Sequence, residues 1–170
     1  RYAGLDTRRW LGAIRTLAVL DEERSFAEGP AVAPDQNVYF TNLRANRIMQ
    51  YSPATQTLTV FRENSHGANG LKFDAQGRLV EGNALEDVND LALDKQGRIY
   101  FTSRPRNRDR AAGNVSAVYR LDPDGALVRL LARPEVEMPN GLAISPDQST
   151  FYLIDSNGES GGRRELAAYS

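Results

Sequence analysis

Hydrophobic and polar positions alternate with a period of two through most of this chain, and the alternation comes in copies. One copy runs Glu28-Gly29-Pro30-Ala31-Val32-Ala33, breaks at Pro34-Asp35-Gln36-Asn37, and resumes at Val38-Tyr39-Phe40-Thr41-Asn42. A second runs from Asn69-Gly70-Leu71 through Asp74-Ala75-Gln76-Gly77 to Arg78-Leu79-Val80. A third runs from Asn89-Asp90-Leu91 through Asp94-Lys95-Gln96-Gly97 to Ile99-Tyr100-Phe101-Thr102-Ser103. A fourth runs from Asn140-Gly141-Leu142 through Ser145-Pro146-Asp147-Gln148 to Phe151-Tyr152-Leu153-Ile154-Asp155. Alternation rich in Val, Ile, Tyr and Phe predicts strands, and the Asp, Gln, Gly and Pro between the runs predict hairpin turns.

Two copies are followed by a further hairpin. Arg47–Tyr51 turns at Ser52-Pro53-Ala54 into Thr57–Phe61, and Val118–Leu121 turns at Asp122-Pro123-Asp124-Gly125 into Leu127–Leu131. Hairpin plus hairpin is a four-stranded antiparallel unit, and such units recurring every 40–50 residues or so mark the blades of a β-propeller. The expected fold is therefore all-β. The copies begin at residues 28, 69, 89 and 140, so the steps are 41, 20 and 51 residues. A step of 20 leaves no room for the second hairpin of blade two. The predicted organisation is a segment over 1–27 that packs on or closes the propeller, with 13–20 a candidate closing strand and Trp10 against an outer blade. Blades follow over 28–170, with blade two lacking its second hairpin and blade four incomplete. Propellers close with about four to eight blades, so truncation or omitted residues are expected.

Composition narrows the function classes. Among 170 residues the formal net charge is −1, which argues against a nucleic-acid or membrane-surface protein. No apolar run approaches the roughly 20 residues of a membrane span, and residues 1–27 lack the apolar stretch of a signal peptide. The absence of cysteine removes disulfides, thiolate zinc sites and cysteine nucleophiles. It does not choose between a cytoplasmic and an exported protein.

The start of each copy is where chemistry is expected. The innermost strand of a blade lines the central channel, so residues in one register of successive blades converge on one axis. These are Glu28, Asn69, Asn89 and Asn140. One carboxylate and several amide carbonyls facing one point make an all-oxygen site suited to a hard cation. Asn-Gly and Asn-Asp are also ordinary turn dipeptides, and a single glutamate is ordinarily a solvated charge. The shared register is what favours the site.

At these residues the sequence resembles the gluconolactonase, regucalcin and luciferin-regenerating-enzyme family. The carriers are Ala27-Glu28-Gly29-Pro30, Ala68-Asn69-Gly70-Leu71, Val88-Asn89-Asp90-Leu91, Ile99-Tyr100-Phe101-Thr102 and Pro139-Asn140-Gly141-Leu142-Ala143-Ile144-Ser145-Pro146-Asp147. The resemblance implies a six-bladed propeller, of which about three and a half blades are visible. It implies one divalent cation, calcium foremost, with magnesium, manganese or zinc as alternatives. Glu28, Asn89 and Asn140 match its metal-binding positions, and Asn69 and Asn89 match substrate-side positions. The implied reaction is opening of a small-molecule lactone, with the cation polarising the carbonyl and a carboxylate taking the proton of the attacking water. The family's further metal-binding aspartate would follow Ser170, and Ser103 stands where an aspartate usually follows the Phe-Thr pair. The catalytic base is thus unassigned, with Glu28 the visible candidate.

Other motifs carry less. Gly158-Glu159-Ser160-Gly161-Gly162 fits a nucleophile elbow, but no histidine follows it. His66 is the sole histidine and reads as solvated. Asp122–Gly125 lacks the remaining ligands of a calcium loop. Arg104, Arg106, Arg108 and Arg110 read as a solvated loop. Two other functional classes stay open: a propeller that binds without turnover (or an inactive fragment), and a related propeller esterase or phosphotriesterase.

Overall fold

The computed structural model describes residues 12–20, 25–81, 88–104 and 115–170. Thirteen strands and no helix occur among them. Blade one is β1 (Ala27–Val32), β2 (Val38–Asn42), β3 (Arg47–Ser52) and β4 (Thr57–Glu63), in that spatial order. Blade two is the pair β5 (Leu71–Phe73) and β6 (Leu79–Glu81). Blade three is β7 (Val88–Leu93), β8 (Ile99–Ser103), β9 (Ala117–Leu121) and β10 (Leu127–Ala132). Blade four is β11 (Pro139–Ile144), β12 (Phe151–Ser156) and β13 (Arg164–Tyr169). All neighbours pair antiparallel.

The inner strands β1, β5, β7 and β11 contact one another in sequence order, and this places the blades around a common axis. The chain is a partial propeller. Alternation turns the apolar side chains of a strand to one face of its sheet, and where that face meets the next blade an apolar layer forms. Ala31, Tyr39, Ile48 and Leu71 fill the layer between blades one and two. Val88, Leu91 and Phe101, with Val80 against them, fill the next. Val118, Val136 and Leu153 fill the layer between blades three and four. Burying each of the larger aliphatic side chains contributes about 1.5–3 kcal/mol.

The hairpin turns repeat one device. In Asp74-Ala75-Gln76-Gly77-Arg78 the Asp74 carboxylate accepts the Gln76 and Arg78 N–H groups and the Arg78 guanidinium. In Asp94-Lys95-Gln96-Gly97-Arg98 the Asp94 carboxylate does the same with Gln96 and Arg98. The tight turn orients each innermost strand with its N-terminal end on the face opposite the turns.

Two details differ from the sequence pattern. Blade four has a third strand, β13, where the alternation stopped at Asp155. Residues 12–20 adopt no regular structure and leave Ile14, Leu17 and Val19 exposed, so 13–20 joins no sheet. Trp10, residues 82–87 between the first hairpin of blade two and β7, and Arg106, Arg108 and Arg110 lie outside the described residues.

Candidate metal and lactone site

Three of the four residues in shared register also share a backbone irregularity. Between Glu28 and Ala31 the β1–β2 ladder gains a residue, because these pair with Thr41 and Tyr39. The same gain falls between Val88 and Leu91 on β7, which pair with Ser103 and Phe101. It falls again between Pro139 and Leu142 on β11, which pair with Asp155 and Leu153. Glu28 is the last paired residue before its bulge, and Asn89 and Asn140 are the first residues inside theirs. A bulge bends a strand and re-aims the side chains at it. Asn69 and Gly70 occupy the equivalent place just before β5.

The backbones at these positions touch from blade to blade. The Thr41 hydroxyl donates to the carbonyls of Glu28 (3.1 Å) and Asn69 (3.0 Å). The Gly70 N–H donates to the Asn89 carbonyl at 2.9 Å. The Thr102 hydroxyl donates to the Asn140 carbonyl at 2.7 Å. Glu28, Asn69, Asn89 and Asn140 therefore form one continuous arc at the N-terminal ends of the inner strands. All four are half-buried. The Asn140 side-chain amide donates to the Ser156 hydroxyl at 3.1 Å, which turns its carbonyl oxygen to the other edge of the group.

The donor set on this arc is one carboxylate and three amide oxygens. That is hard-oxygen chemistry of the kind calcium, magnesium and manganese take, and it lacks the nitrogen and sulfur donors that zinc favours. Among the described residues, no three His, Asp or Glu side chains gather as a metal cluster. The arc itself carries a single negative charge, that of Glu28.

Several residues at this face escaped the sequence pattern. Thr41 and Thr102 are fully buried and bridge neighbouring blades through their hydroxyls. Asp90 accepts the N–H groups of Leu91 and Leu142. Asp155 is buried and accepts the N–H groups of Glu137 (2.7 Å) and Met138 (2.7 Å). Asn42 occupies the same register in blade one and accepts the Phe26 N–H. The recurring Phe-Thr pair was the available signal for the threonines. Glu137, beside this region, has its carboxyl held below the usual range by the Arg163 N–H and the Asn157 amide.

The remaining motifs are structural. Ser160 lies in the turn between β12 and β13, where the Gly162 N–H reaches the Glu159 carbonyl. His66 is exposed in a turn with φ of 53°. Asp122–Gly125 is the β9–β10 turn, and Asp122 pairs with Arg120. Two cavities, of about 260 Å³ beside Tyr100, Phe151 and Tyr169 and about 750 Å³ beside Asp74, Lys95 and Pro123, lie at the turn ends of the blades. They are separated from the arc by the length of an inner strand, roughly 16 Å.

Comparison with known proteins agrees with the propeller fold. Residues 79–161 match the SMP-30/Gluconolactonase/LRE-like region. The resemblance to that family holds in sequence and in fold. Over 137 residues the chain is 30% identical to a gluconolactonase of Zymomonas mobilis subsp. mobilis, covering 77% of this chain and 34% of that protein. A gluconolactonase structure from Xanthomonas campestris superposes with a TM-score of 0.69 at 27% identity, over 85% of this chain and 58% of that one. A calcium-binding regucalcin from Agrobacterium tumefaciens shares the fold, with a TM-score of 0.59 at 21% identity over 81% of this chain and 53% of that one. The chain spans about a third of the length of the curated gluconolactonase it matches.

Proposed function

We propose that this chain carries the metal-binding face of a divalent-metal-dependent hydrolase that opens a sugar lactone. The observation that carries the reading is the common bulge register of Glu28, Asn89 and Asn140 around one propeller axis. The likeness to gluconolactonases over most of the chain supports the substrate class. The hard-oxygen donors, and the calcium-binding regucalcin that shares the fold, support calcium ahead of magnesium, manganese or zinc.

In this reading Glu28 holds the cation with its carboxylate, and Asn89 and Asn140 with their amide oxygens. When bound, the cation supplies Lewis-acid polarisation of the lactone carbonyl and lowers the pKa of a water. The Asn69 amide, with that of Asn89, hydrogen-bonds the hydroxyls of the sugar ring and orients it. Water adds to the carbonyl carbon, the ring C–O bond breaks, and the proton passes to the ring oxygen to give the hydroxy acid. A carboxylate moves that proton, and Glu28 serves in this way only when it is not fully engaged with the cation.

The test is hydrolysis of glucono-δ-lactone by the purified chain, followed with a pH indicator, before and after exhaustive chelation and with each cation restored. The expected result is turnover that chelation abolishes and calcium restores. Turnover that survives chelation overturns the metal-dependent reading. Cation binding without turnover of any lactone overturns the enzyme reading in favour of a binding module.

A further inference from the structure

Three of the four register positions are followed by glycine, at Gly29, Gly70 and Gly141, and one by a carboxylate, Asp90. That carboxylate spans two blades. Its Oδ1 accepts the Leu91 N–H at 2.9 Å on its own strand, and its Oδ2 accepts the Leu142 N–H at 3.0 Å on β11. Its backbone N–H donates to the Thr102 hydroxyl at 3.1 Å, and that hydroxyl donates in turn to the Asn140 carbonyl at 2.7 Å.

The two connections close a ring. The carbonyl of Asn140 and the N–H of Leu142, on either side of Gly141, are both pinned to Asp90, one through Thr102 and one directly. Asn89 is the residue before Asp90, so its backbone position is set by the same ring. Space for the carboxylate comes from the glycines beside it. A Cβ on Gly70 would lie 3.1 Å from Asp90 Oδ1, and one on Gly141 would lie 3.8 Å from Oδ2. The junction between blades one and two has the equivalent threonine, Thr41, with Gly29 and Gly70 where the carboxylate would be. Among the described register positions, the Asp90 bridge is peculiar to the junction that sets Asn89 against Asn140.

We propose that Asp90 and Thr102 are positioning residues that fix the separation of the Asn89 and Asn140 amides, and through it the affinity of the arc for a divalent cation. This rests on the metal-binding reading above. Neither residue need touch the cation. Each removes freedom from a ligand-bearing segment, as the outer partners of metal ligands do.

The test titrates calcium into the intact chain by calorimetry and records thermal unfolding with and without calcium. Four proteins are compared: wild type, Asp90→Asn, Thr102→Val and Thr102→Ser. Asp90→Asn keeps one acceptor but sets an amide N–H against a backbone N–H. Thr102→Val keeps the shape and loses the hydroxyl, and Thr102→Ser keeps the hydroxyl. The expected result is calcium binding at least about tenfold weaker in Asp90→Asn and Thr102→Val, with the calcium-dependent rise in Tm lost, and near-wild-type behaviour in Thr102→Ser. A purely structural role would lower the Tm of the variants without calcium and leave the calcium-dependent rise intact, and that outcome overturns the proposal. Should Thr102→Val fail to fold, Asp90→Asn and Thr102→Ser decide by the same two readouts. A wild-type chain that binds neither calcium, magnesium, manganese nor zinc overturns the metal-binding reading itself, a result distinct from wild-type affinity in the variants.

Discussion

Gly29 faces the carbonyl oxygen of Asn69 so closely that a Cβ on it would lie 2.1 Å from that oxygen. The obstacle is backbone, which cannot rotate aside, and Gly29 also has φ of 53°, a conformation that suits glycine. The first two register positions are thus in contact because one of them is followed by a residue without a side chain. Gly29→Ala is expected to destabilise the chain by about 2 kcal/mol or more. Urea unfolding of the variant checks this, and a midpoint equal to wild type would mean the blades are further apart than described.

Asp94 ties a hairpin turn to Arg98, and its carboxyl is shifted downward. Burial pushes it up, but the Arg98 guanidinium and the N–H groups of Arg98 and Gln96 outweigh that and hold it below the usual range. A carboxyl lowered in the folded state stabilises above its unfolded pKa of about 3.9, and that contribution is lost as pH falls through the folded value. Asp74 and Asp147 shift in the same direction. Asp94→Asn is expected to cost about 1–3 kcal/mol at pH 7, with the gap to wild type shrinking below about pH 4. Denaturant curves at pH 7 and at pH 3 or lower measure it. A gap that stays constant with pH would show that the charge of Asp94 does not matter.

Much of this architecture was legible in the sequence because blade strands announce themselves. Tyr39, Phe40, Tyr100, Phe101, Phe151 and Tyr152 lie in runs with strong strand propensity, closed by Asp, Gln and Gly turns. β13 was not legible. Its sequence Arg-Glu-Leu-Ala-Ala-Tyr contains residues depleted in strands, and it is a strand because β12 offers it an edge from Phe151 to Ser156. The ambiguity of 13–20 has the converse cause: Ile14, Leu17 and Val19 have strand propensity, but no described edge receives them.

The candidate site was legible to the depth of its register and no further. Spacing aligned Glu28, Asn69, Asn89 and Asn140. The partners that hold them (Thr41, Thr102, Asp90 and Ser156) belong to strands whose alternation gives no hint of what a hydroxyl or carboxylate bridges. Such hydrogen bonds cross from blade to blade, as from Asp90 to Leu142, and period-two patterning contains no information about them.

Asp155 shows how a buried carboxylate can be spent on the backbone. Both oxygens are engaged by the N–H groups of Glu137 and Met138, which lead into β11 and hence to Asn140. Asp155→Ala leaves two donors without their acceptor in a site where Asp155 is only 2% exposed. The expected loss is about 3 kcal/mol, read by thermal or denaturant unfolding. A variant of unchanged stability would require those N–H groups to find water.

Glu28 is the charge on the arc, and its replacement separates binding from folding. Thr41 bonds the Glu28 backbone carbonyl, not its carboxylate, so Glu28→Gln preserves that contact and the side-chain volume. Unfolding free energy should stay within about 0.5 kcal/mol of wild type. Removing the sole carboxylate among the proposed ligands should weaken calcium binding at least about tenfold, since affinity for hard cations follows ligand charge. Calorimetric titration of calcium into the folded variant measures this. Full calcium affinity in Glu28→Gln would move the cation away from the inner-strand bulges and remove the basis for assigning Asn89 and Asn140 as its ligands.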